Sequence, residues 1–279
     1  IEFENEDPDH FDGTFADLDG DGAPELVFAP NIHHAYVLSI DRDGAPGKMF
    51  YLKQNIDLKP FAFKDNIVTV AVDLDADGRD DILFADGLGR VWTFHSGPDG
   101  LLTFHKSTEA PVLPPMAGTV LAQDIDADGI IDLVAANTKR DAGKLLPSQF
   151  AIARGTGDGR FEPLASWTTS VGATQTSSPW GPQLCYVHLV LLDLDGSGYP
   201  ALVYALPDER SLVIHPQVAL TLGAEPVVIP LDHEPFGVFA APQDDGSVDL
   251  LVSLHNDNGT PYDFSDDIGP FIDRYRLDP

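Results

Sequence analysis

The sequence has one cysteine, few basic residues and no long apolar run, and each of these shortages excludes a class of protein or partner. Its single cysteine, Cys185, excludes an intrachain disulfide framework. No apolar run approaches the ~18 residues of a membrane-spanning helix, so we expect no membrane insertion. Basic residues are scarce, since 16 lysines and arginines stand against 45 aspartates and glutamates, for a net charge of −29. So acidic a chain argues against nucleic acid or an anionic membrane surface as a partner.

Recognisable enzyme motifs are absent as well. The sequence contains no Gly-x-Ser-x-Gly elbow, phosphate-binding loop, dinucleotide fingerprint or Cys-x-x-Cys pair. These absences leave one enzyme class open. Paired acids of a polysaccharide lyase or glycoside hydrolase would not be recognisable among 45 acidic residues.

What the chain does have is a nine-residue acidic stretch that recurs, each time just before a short apolar strand. Loops one to three carry acids at positions 1, 3, 5 and 9 and glycine at position 6, whereas loop four keeps two of the acids and loop five mainly the glycine. The copies are Asp17–Glu25 (loop one), Asp73–Asp81 (loop two), Asp124–Asp132 (loop three), Asp193–Ala201 (loop four) and Ala241–Asp249 (loop five).

This spacing predicts a calcium site. Carboxylates at positions 1, 3 and 5 of a tight loop can converge, glycine at 6 permits the positive φ of the turn, and a carboxylate at 9 closes the far side, with a backbone carbonyl expected at 7. Hard oxygen ligands favour calcium over magnesium or zinc. The predicted ligands are Asp17, Asp19, Asp21, Ala23 and Glu25 in loop one; Asp73, Asp75, Asp77, Arg79 and Asp81 in loop two; and Asp124, Asp126, Asp128, Ile130 and Asp132 in loop three.

The alternative for any single copy is a solvated Asp-Gly turn, but three intact copies favour calcium in loops one to three. Loop four offers Asp193, Asp195 and Ser197 and lacks an acid at positions 5 and 9, so it stays open between a fourth calcium site and none. Loop five, with Ala241 and Gln243 at positions 1 and 3, is expected to be metal-free. The Leu or Ile at position 2 of the first four loops is expected to point into the core.

The loops begin at residues 17, 73, 124, 193 and 241 and so recur about every 50 to 70 residues, the period of propeller blades. Each interval contains about four short strand patterns and little sign of an amphipathic helix. We therefore predict one all-β domain over residues 1–279, a five-bladed β-propeller of four-stranded antiparallel blades. The last blade offers three strands, and Ile1–Glu4 is expected to supply its fourth and close the ring. The predicted blades are 11–56, 65–110, 117–170, 184–231, and 236–279 together with 1–6.

The acidic loops with their following Leu-Val strands, and turns such as Gly157–Phe161, resemble the FG-GAP or VCBS type of repeat. That family occurs in integrin α-subunit heads and in bacterial secreted and surface proteins. The resemblance implies a β-propeller whose calcium loops join the first and second strands of each blade. Integrin heads have seven blades, against five expected here, so their ligand specificity is not carried over.

If these loops join strands one and two, the connections after strands two and four emerge at the opposite ends of the strands. The longest irregular segments are predicted there, at 137–147, 168–184 and 255–269, and long irregular connections are often functional. We therefore expect a protein or glycan partner to contact Trp180, Asn137 and His255 on this face. The alternative is a set of variable surface loops without a ligand.

Two functions remain at this stage. The first is a calcium-stabilised recognition or adhesion module, and the second is a carbohydrate-active enzyme on the same scaffold. Calcium loops of extracellular modules work at affinities of about 10⁻⁴ to 10⁻³ M, so we expect a secreted or cell-surface protein, extracellular or periplasmic.

Overall fold

The computed structural model describes most of the chain between Asp12 and Leu277. The described ranges are 12–31, 34–40, 46–51, 68–108, 110–115, 117–141, 144–145, 148–169, 184–185, 187–194, 197–206, 210–216, 225–242, 248–256 and 268–277. Within these ranges every regular element is a β-strand, so the all-β prediction is confirmed. No described segment is a helix long and apolar enough to cross a membrane.

Three of the five antiparallel sheets have four strands in sequential order, as expected of propeller blades. In each, the acidic loop joins the first strand to the second. Sheet one contains β1 (Asp12–Ala16), β2 (Glu25–Asn31), β3 (His34–Ile40) and β4 (Pro46–Tyr51). Sheet two contains β5 (Val68–Val72), β6 (Asp81–Ala85), β7 (Val91–Ser96) and β8 (Leu102–Ser107).

Sheet three is larger than predicted, with six strands. They are β9 (Thr119–Gln123), β10 (Asp132–Asp141), β11 (Lys144–Leu145), β12 (Gln149–Gly155), β13 (Phe161–Thr168) and β14 (Leu184–Cys185). The order is β11-β10-β12-β13, and β9 and β14 also pair with β10. The segment expected to be irregular from residue 137 is therefore partly strand. The end of β10 pairs with both β11 and β14, which gives its backbone the hydrogen-bond partners of a sheet.

Sheets four and five complete the set. Sheet four is β15 (Leu189–Leu192), β16 (Ala201–Leu206), β17 (Ser211–His215) and β18 (Val227–Pro230). Sheet five has the order β19 (Glu234–Pro242), β20 (Val248–Asn256), β21 (Ile268–Leu277). The irregular segment predicted from residue 255 thus begins later, after Asn256. Residues 1–11, predicted to close the last sheet, lie outside the described residues.

The chain forms two compact units, each with its own apolar core. The first comprises Ile1–Gln123, Ile130–Val134 and Ala151–Ala165, and the second Asp124–Gly129, Ala135–Phe150 and Ser166–Pro279. In the first unit Leu18, Val27 and Ile82 are fully buried together. In the second, Val203, Leu212 and Val252 form the centre of the core. Burying each such side chain stabilises the fold by about 1.5–3 kcal/mol, so the cores hold the strands that flank the acidic loops.

Candidate functional site

The carboxylate at position 1 folds each of the four acidic loops around itself. In loop one Asp17 accepts hydrogen bonds from the N–H groups of Gly20 at 2.9 Å and Gly22 at 2.8 Å. Its counterparts Asp73, Asp124 and Asp193 accept from the N–H groups at positions 5 and 6, at 2.8–3.2 Å. One side chain therefore sets the curvature of the loop, including loop four, which lacks two of the acids.

The glycine at position 6 is required by backbone conformation. Gly22, Gly78, Gly129 and Gly198 have φ between 82° and 86°. A Cβ at any of them would meet nothing within 4 Å, so space is not the constraint. Only glycine adopts this φ without strain, and the predicted role of position 6 is confirmed.

In loops one and two the acid at position 9 connects the end of the loop to its beginning. Glu25 accepts the N–H of Leu18 at 2.9 Å, and Asp81 accepts the N–H of Leu74 at 3.1 Å. Asp81 also accepts the N–H of Ser96, at 2.9 Å, so one carboxylate joins loop two to β7. The prediction that position 2 points inward holds for Leu18 and Ile125, which are fully buried.

In loops one and two the acids come together as a metal site requires. The carboxylate oxygens of Asp17, Asp19 and Glu25 lie within 4.8 Å of one another, as do those of Asp73, Asp75 and Asp77. Calcium binds oxygens at 2.3–2.6 Å, so oxygens on opposite sides of one ion are about 5 Å apart. The residues therefore fit the ion in donor type and spacing.

Asp21 lies outside the first of these clusters and orients its own loop. One of its oxygens accepts the N–H of Ala23 at position 7, at 2.7 Å. Asp77 accepts the N–H of Arg79 in the same way at 3.0 Å, and in loop four the backbone N–H of Tyr199 donates to the Ser197 hydroxyl oxygen at 3.2 Å. Position 5 thus orients position 7, whether its side chain is charged or neutral.

Loop two carries two features that the sequence analysis did not find. The Arg79 guanidinium pairs with the remaining oxygen of Asp77, so both oxygens of that carboxylate face Arg79. In addition, His95 Nδ1 lies 3.2 Å from Asp75 Oδ2. His95 is far from the loop in sequence but sits on β7, which pairs with the strand that follows the loop.

Loop three is divided between the two units, and each part shows a contact of the kind seen in loops one and two. In the second unit Asp124 holds the loop amides as described above. In the first unit Asp132 is buried and accepts the N–H of Gly155 at 2.8 Å, the counterpart of the Asp81 contact with Ser96. In loop four Asp195 lies outside the described residues.

Loop five lacks the acids of positions 1 and 3, and a side-chain cation is paired with the acid that it keeps at position 9. Asp249 is buried, and the Arg274 guanidinium on β21 forms an ion pair with it. The contact raises the pKa of Arg274, because the carboxylate stabilises its charged form. Residues 243–247 of this loop lie outside the described residues.

Burial shapes the electrostatics of the position-9 acids. It raises the pKa of Glu25, and the charges of Asp17, Asp19 and Asp21 act in the same direction, against the hydrogen bond from Leu18. Burial also raises the pKa of Asp81. Both carboxylates are therefore costly to ionise while the loops hold no cation.

The residues predicted to contact a partner are only partly described. Asn137 lies in β10 with its side chain buried, so little of that side chain is available to a partner. The backbone of His255 belongs to β20, which places it in a strand and not in the predicted loop. Trp180 lies outside the described residues.

Comparisons with known proteins agree with this architecture. Residues 73–135, which contain loops two and three, match the FG-GAP-like repeat. A solved structure described as specific recognition of non-reducing terminal N-acetylglucosamine by an Agrocybe aegerita lectin is similar at a TM-score of 0.54 and 18% identity, over 89% of this chain and 63% of that one. The Vanderwaltozyma polyspora Nup133 β-propeller domain gives a TM-score of 0.51 and 12% identity, over 81% and 65%.

This chain thus spans less than two thirds of either structure. A search of curated proteins found no match. At these identities the likeness concerns the fold alone. The acidic loops, the sequential antiparallel sheets and the matched repeat lead to one conclusion: this is an all-β chain with an FG-GAP-like repeat and the fold of a β-propeller.

Proposed function

We propose that the chain is a calcium-stabilised extracellular β-propeller that serves as a recognition or adhesion module for a protein or glycan. The proposal rests on one observation, which is that the loop acids accept backbone hydrogen bonds that shape the loops. Asp17, Asp73, Asp124 and Asp193 accept backbone N–H groups of their own loops, and Glu25 and Asp81 tie the loop ends together. Groups committed to shaping turns suit a structural ion, and the surfaces away from the loops remain free to recognise a partner.

Bound calcium would neutralise the negative charges of the loop carboxylates. Like charges within 4.8 Å repel by about 1 kcal/mol per pair in water and by more where water is excluded. An ion that binds only the folded loop converts this repulsion into attraction and stabilises the turn between the first two strands. We propose sites in loops one to three, with Asp193 and Ser197 marking a fourth candidate. Sites of this class are filled at extracellular calcium levels, which supports a secreted or surface location.

The five sheets are proposed to be five blades of one propeller. Sheet five has three described strands where sheets one, two and four have four. Ile1–Glu4, with its alternating apolar and acidic residues, is proposed to fill the fourth position. A disulfide between cysteines placed in Ile1–Glu4 and on β21 tests this, and failure to form it in the folded protein would contradict the closure.

The partner is proposed to bind at the strand ends opposite the calcium loops, with Trp180 as the main contact. The test is a screen of glycans and surface proteins in calcium, comparing wild type with Trp180→Ala. A Trp167→Ala variant is the matched control, because Trp167 stacks on Phe150 at 5.0 Å and its loss should reduce stability. We expect Trp180→Ala to weaken binding at least tenfold with little change in melting temperature.

Two results would change the proposal. Equal loss of binding and stability in Trp180→Ala would show that this side chain packs and does not recognise. Release of products from a polysaccharide during the screen would favour the carbohydrate-active enzyme instead.

A further inference from the structure

Loop two differs from the other acidic loops in what surrounds its carboxylates. Arg79 faces both oxygens of Asp77, the acid at position 5, which reduces the ability of Asp77 to serve as a ligand. In its place an imidazole enters from β7. Ligand atoms of Asp75, Asp81 and His95 lie within 4.8 Å of one another. The exchange replaces a hard oxygen donor with a nitrogen.

We propose that Asp75, Asp81 and His95 form a site for a divalent transition metal of the zinc type, overlapping the calcium position of loop two. Two carboxylates and one imidazole are a donor set that suits zinc and its neighbours better than calcium, which prefers oxygen alone. The overlap follows because Asp75 and Asp81 belong to both ligand sets. Either ion can therefore occupy loop two, but not both at once.

The spacing supports a small ion. Ligands of a tetrahedral metal with bonds of about 2.0–2.1 Å lie about 3.3 Å apart. His95 Nδ1 and Asp75 Oδ2 are 3.2 Å apart. An imidazole Nδ1 at this distance from a carboxylate oxygen either donates a hydrogen bond through its N–H or, in the tautomer with a lone pair on Nδ1, shares a metal ion with it. The loop thus already has a nitrogen and an oxygen at the separation that a bound metal would impose.

The imidazole is also held in position. His105 stacks on His95 with ring centroids 4.0 Å apart, and His105 Nε2 is 2.9 Å from the carbonyl oxygen of Asp158. Asp81 is buried at the base of the site and is tied by backbone N–H groups of Leu74 and Ser96. Ligands fixed by such surrounding contacts bind metal with little reorganisation.

The feature is specific to loop two. In sheet three Gly155 donates to Asp132 as Ser96 donates to Asp81, so Arg154 takes the place of His95. In sheet one the strand register places Ser39 there. Neither arginine nor serine offers an imidazole, so at this register position among the described residues loops one and three have no counterpart of His95.

The test is titration of the whole chain with Co²⁺ alone, a zinc substitute whose visible absorption reports nitrogen and oxygen ligands. Wild type is compared with His95→Asn and with a histidine control outside the loops, His233→Asn. We expect one Co²⁺ per chain in this site, an affinity at least tenfold lower in His95→Asn, and no change in His233→Asn. In a separate titration of calcium-loaded wild type, saturating Co²⁺ should displace one equivalent of Ca²⁺. Equal Co²⁺ affinity in wild type and His95→Asn would overturn the proposal.

A second measurement needs no variant. Bound Co²⁺ should shift the ring proton signals of His95 and, through space, of the stacked His105 in the wild-type nuclear magnetic resonance spectrum, and absence of any shifted histidine would overturn the site. Co²⁺ binding that leaves all bound Ca²⁺ in place would overturn the overlap. These outcomes are separate from the recognition role, because calcium dependence of melting should persist in His95→Asn through loops one and three.

Discussion

Asp17 in loop one and Asp80 in loop two form two reciprocal hydrogen bonds. The N–H of Asp17 donates to Asp80 Oδ2 at 2.9 Å, and the N–H of Asp80 donates to the Asp17 carbonyl at 2.8 Å. Asp17 is the first residue of loop one, and Asp80 immediately precedes the last acid of loop two. Two predicted metal sites of the first unit are thus mechanically connected, although Asp80 itself is not a predicted ligand.

We predict that Asp80→Ala lowers the free energy of unfolding by about 1–2 kcal/mol, since it removes a charged acceptor from the Asp17 N–H. Asp80→Asn should retain most of the stability because its amide oxygen can accept the same hydrogen bond. Urea unfolding in calcium measures both variants. Identical losses in the two would show that charge, and not this hydrogen bond, is what Asp80 contributes.

Removal of calcium should lower the melting temperature strongly. An ion that binds only the folded state adds about 2.7 kcal/mol per site when its concentration is a hundred times Kd. Asp75→Ala and Asp126→Ala should each reproduce part of the loss, whereas Glu162→Ala, an exposed acid outside the loops, should not. Calorimetry with and without chelator measures the effect. If chelator leaves the melting temperature unchanged but abolishes turnover of some substrate, the ions take part in catalysis and do not stabilise the fold.

Glu25→Gln should change the sign of its effect with calcium. Burial raises the pKa of Glu25 in the folded protein, so folding favours the neutral carboxyl group. The stabilisation from this group is present below the pKa of the unfolded chain and is lost as pH rises through the pKa of the folded protein. In chelator at pH 7 the neutral variant should therefore melt higher than wild type, and the difference should shrink toward pH 4. In calcium it should melt lower, because a ligand is lost. Lower melting in both conditions at pH 7 would contradict this account of Glu25.

Replacing the alanine at position 4 of loops two and three with glycine should stabilise the protein. Ala76 and Ala127 have φ of 60° and 57°, whereas loop one has Gly20 there at 75°. A left-handed conformation costs an alanine about 1–2 kcal/mol, and glycine's greater freedom in the unfolded chain returns about half of that. We expect a gain of about 0.5–1 kcal/mol for Ala76→Gly. Ala71→Gly, within β5, is the control and should destabilise; a loss in both would contradict the strain argument.

Local chemistry explains what the sequence predicted well. Alternating apolar residues and turn glycines predicted about four strands per interval, as sheets one, two and four have, and the position-6 glycines adopt the expected φ. These features depend on neighbours in the chain. The extension of β10 depends on pairing with β11 and β14, which no local pattern of residues 137–141 indicates.

The contacts that distinguish individual loops could not be predicted from local sequence patterns either. His95 reaches Asp75 through the register of β6 and β7, and Arg274 reaches Asp249 through that of β20 and β21. A histidine or arginine in a strand is ordinary until the register shows which loop it faces. If the strand after each acidic loop is assumed to form a hairpin with the next strand, the residues that can reach the loop are those on that next strand near the end of the loop.

The ion pair between Arg274 and Asp249 has a consequence for how the protein would come apart. A guanidinium attached to the chain cannot be extracted by a chelator, so Asp249 in β20 keeps its counter-charge when calcium is removed. On the proposal that loops one and two bind calcium, their counter-charge is instead drawn from the surroundings. On transfer to low-calcium fluid, proteases should therefore cut first near residues 17–25 and 73–81, while the fragment from Glu234 to Leu277 resists longest.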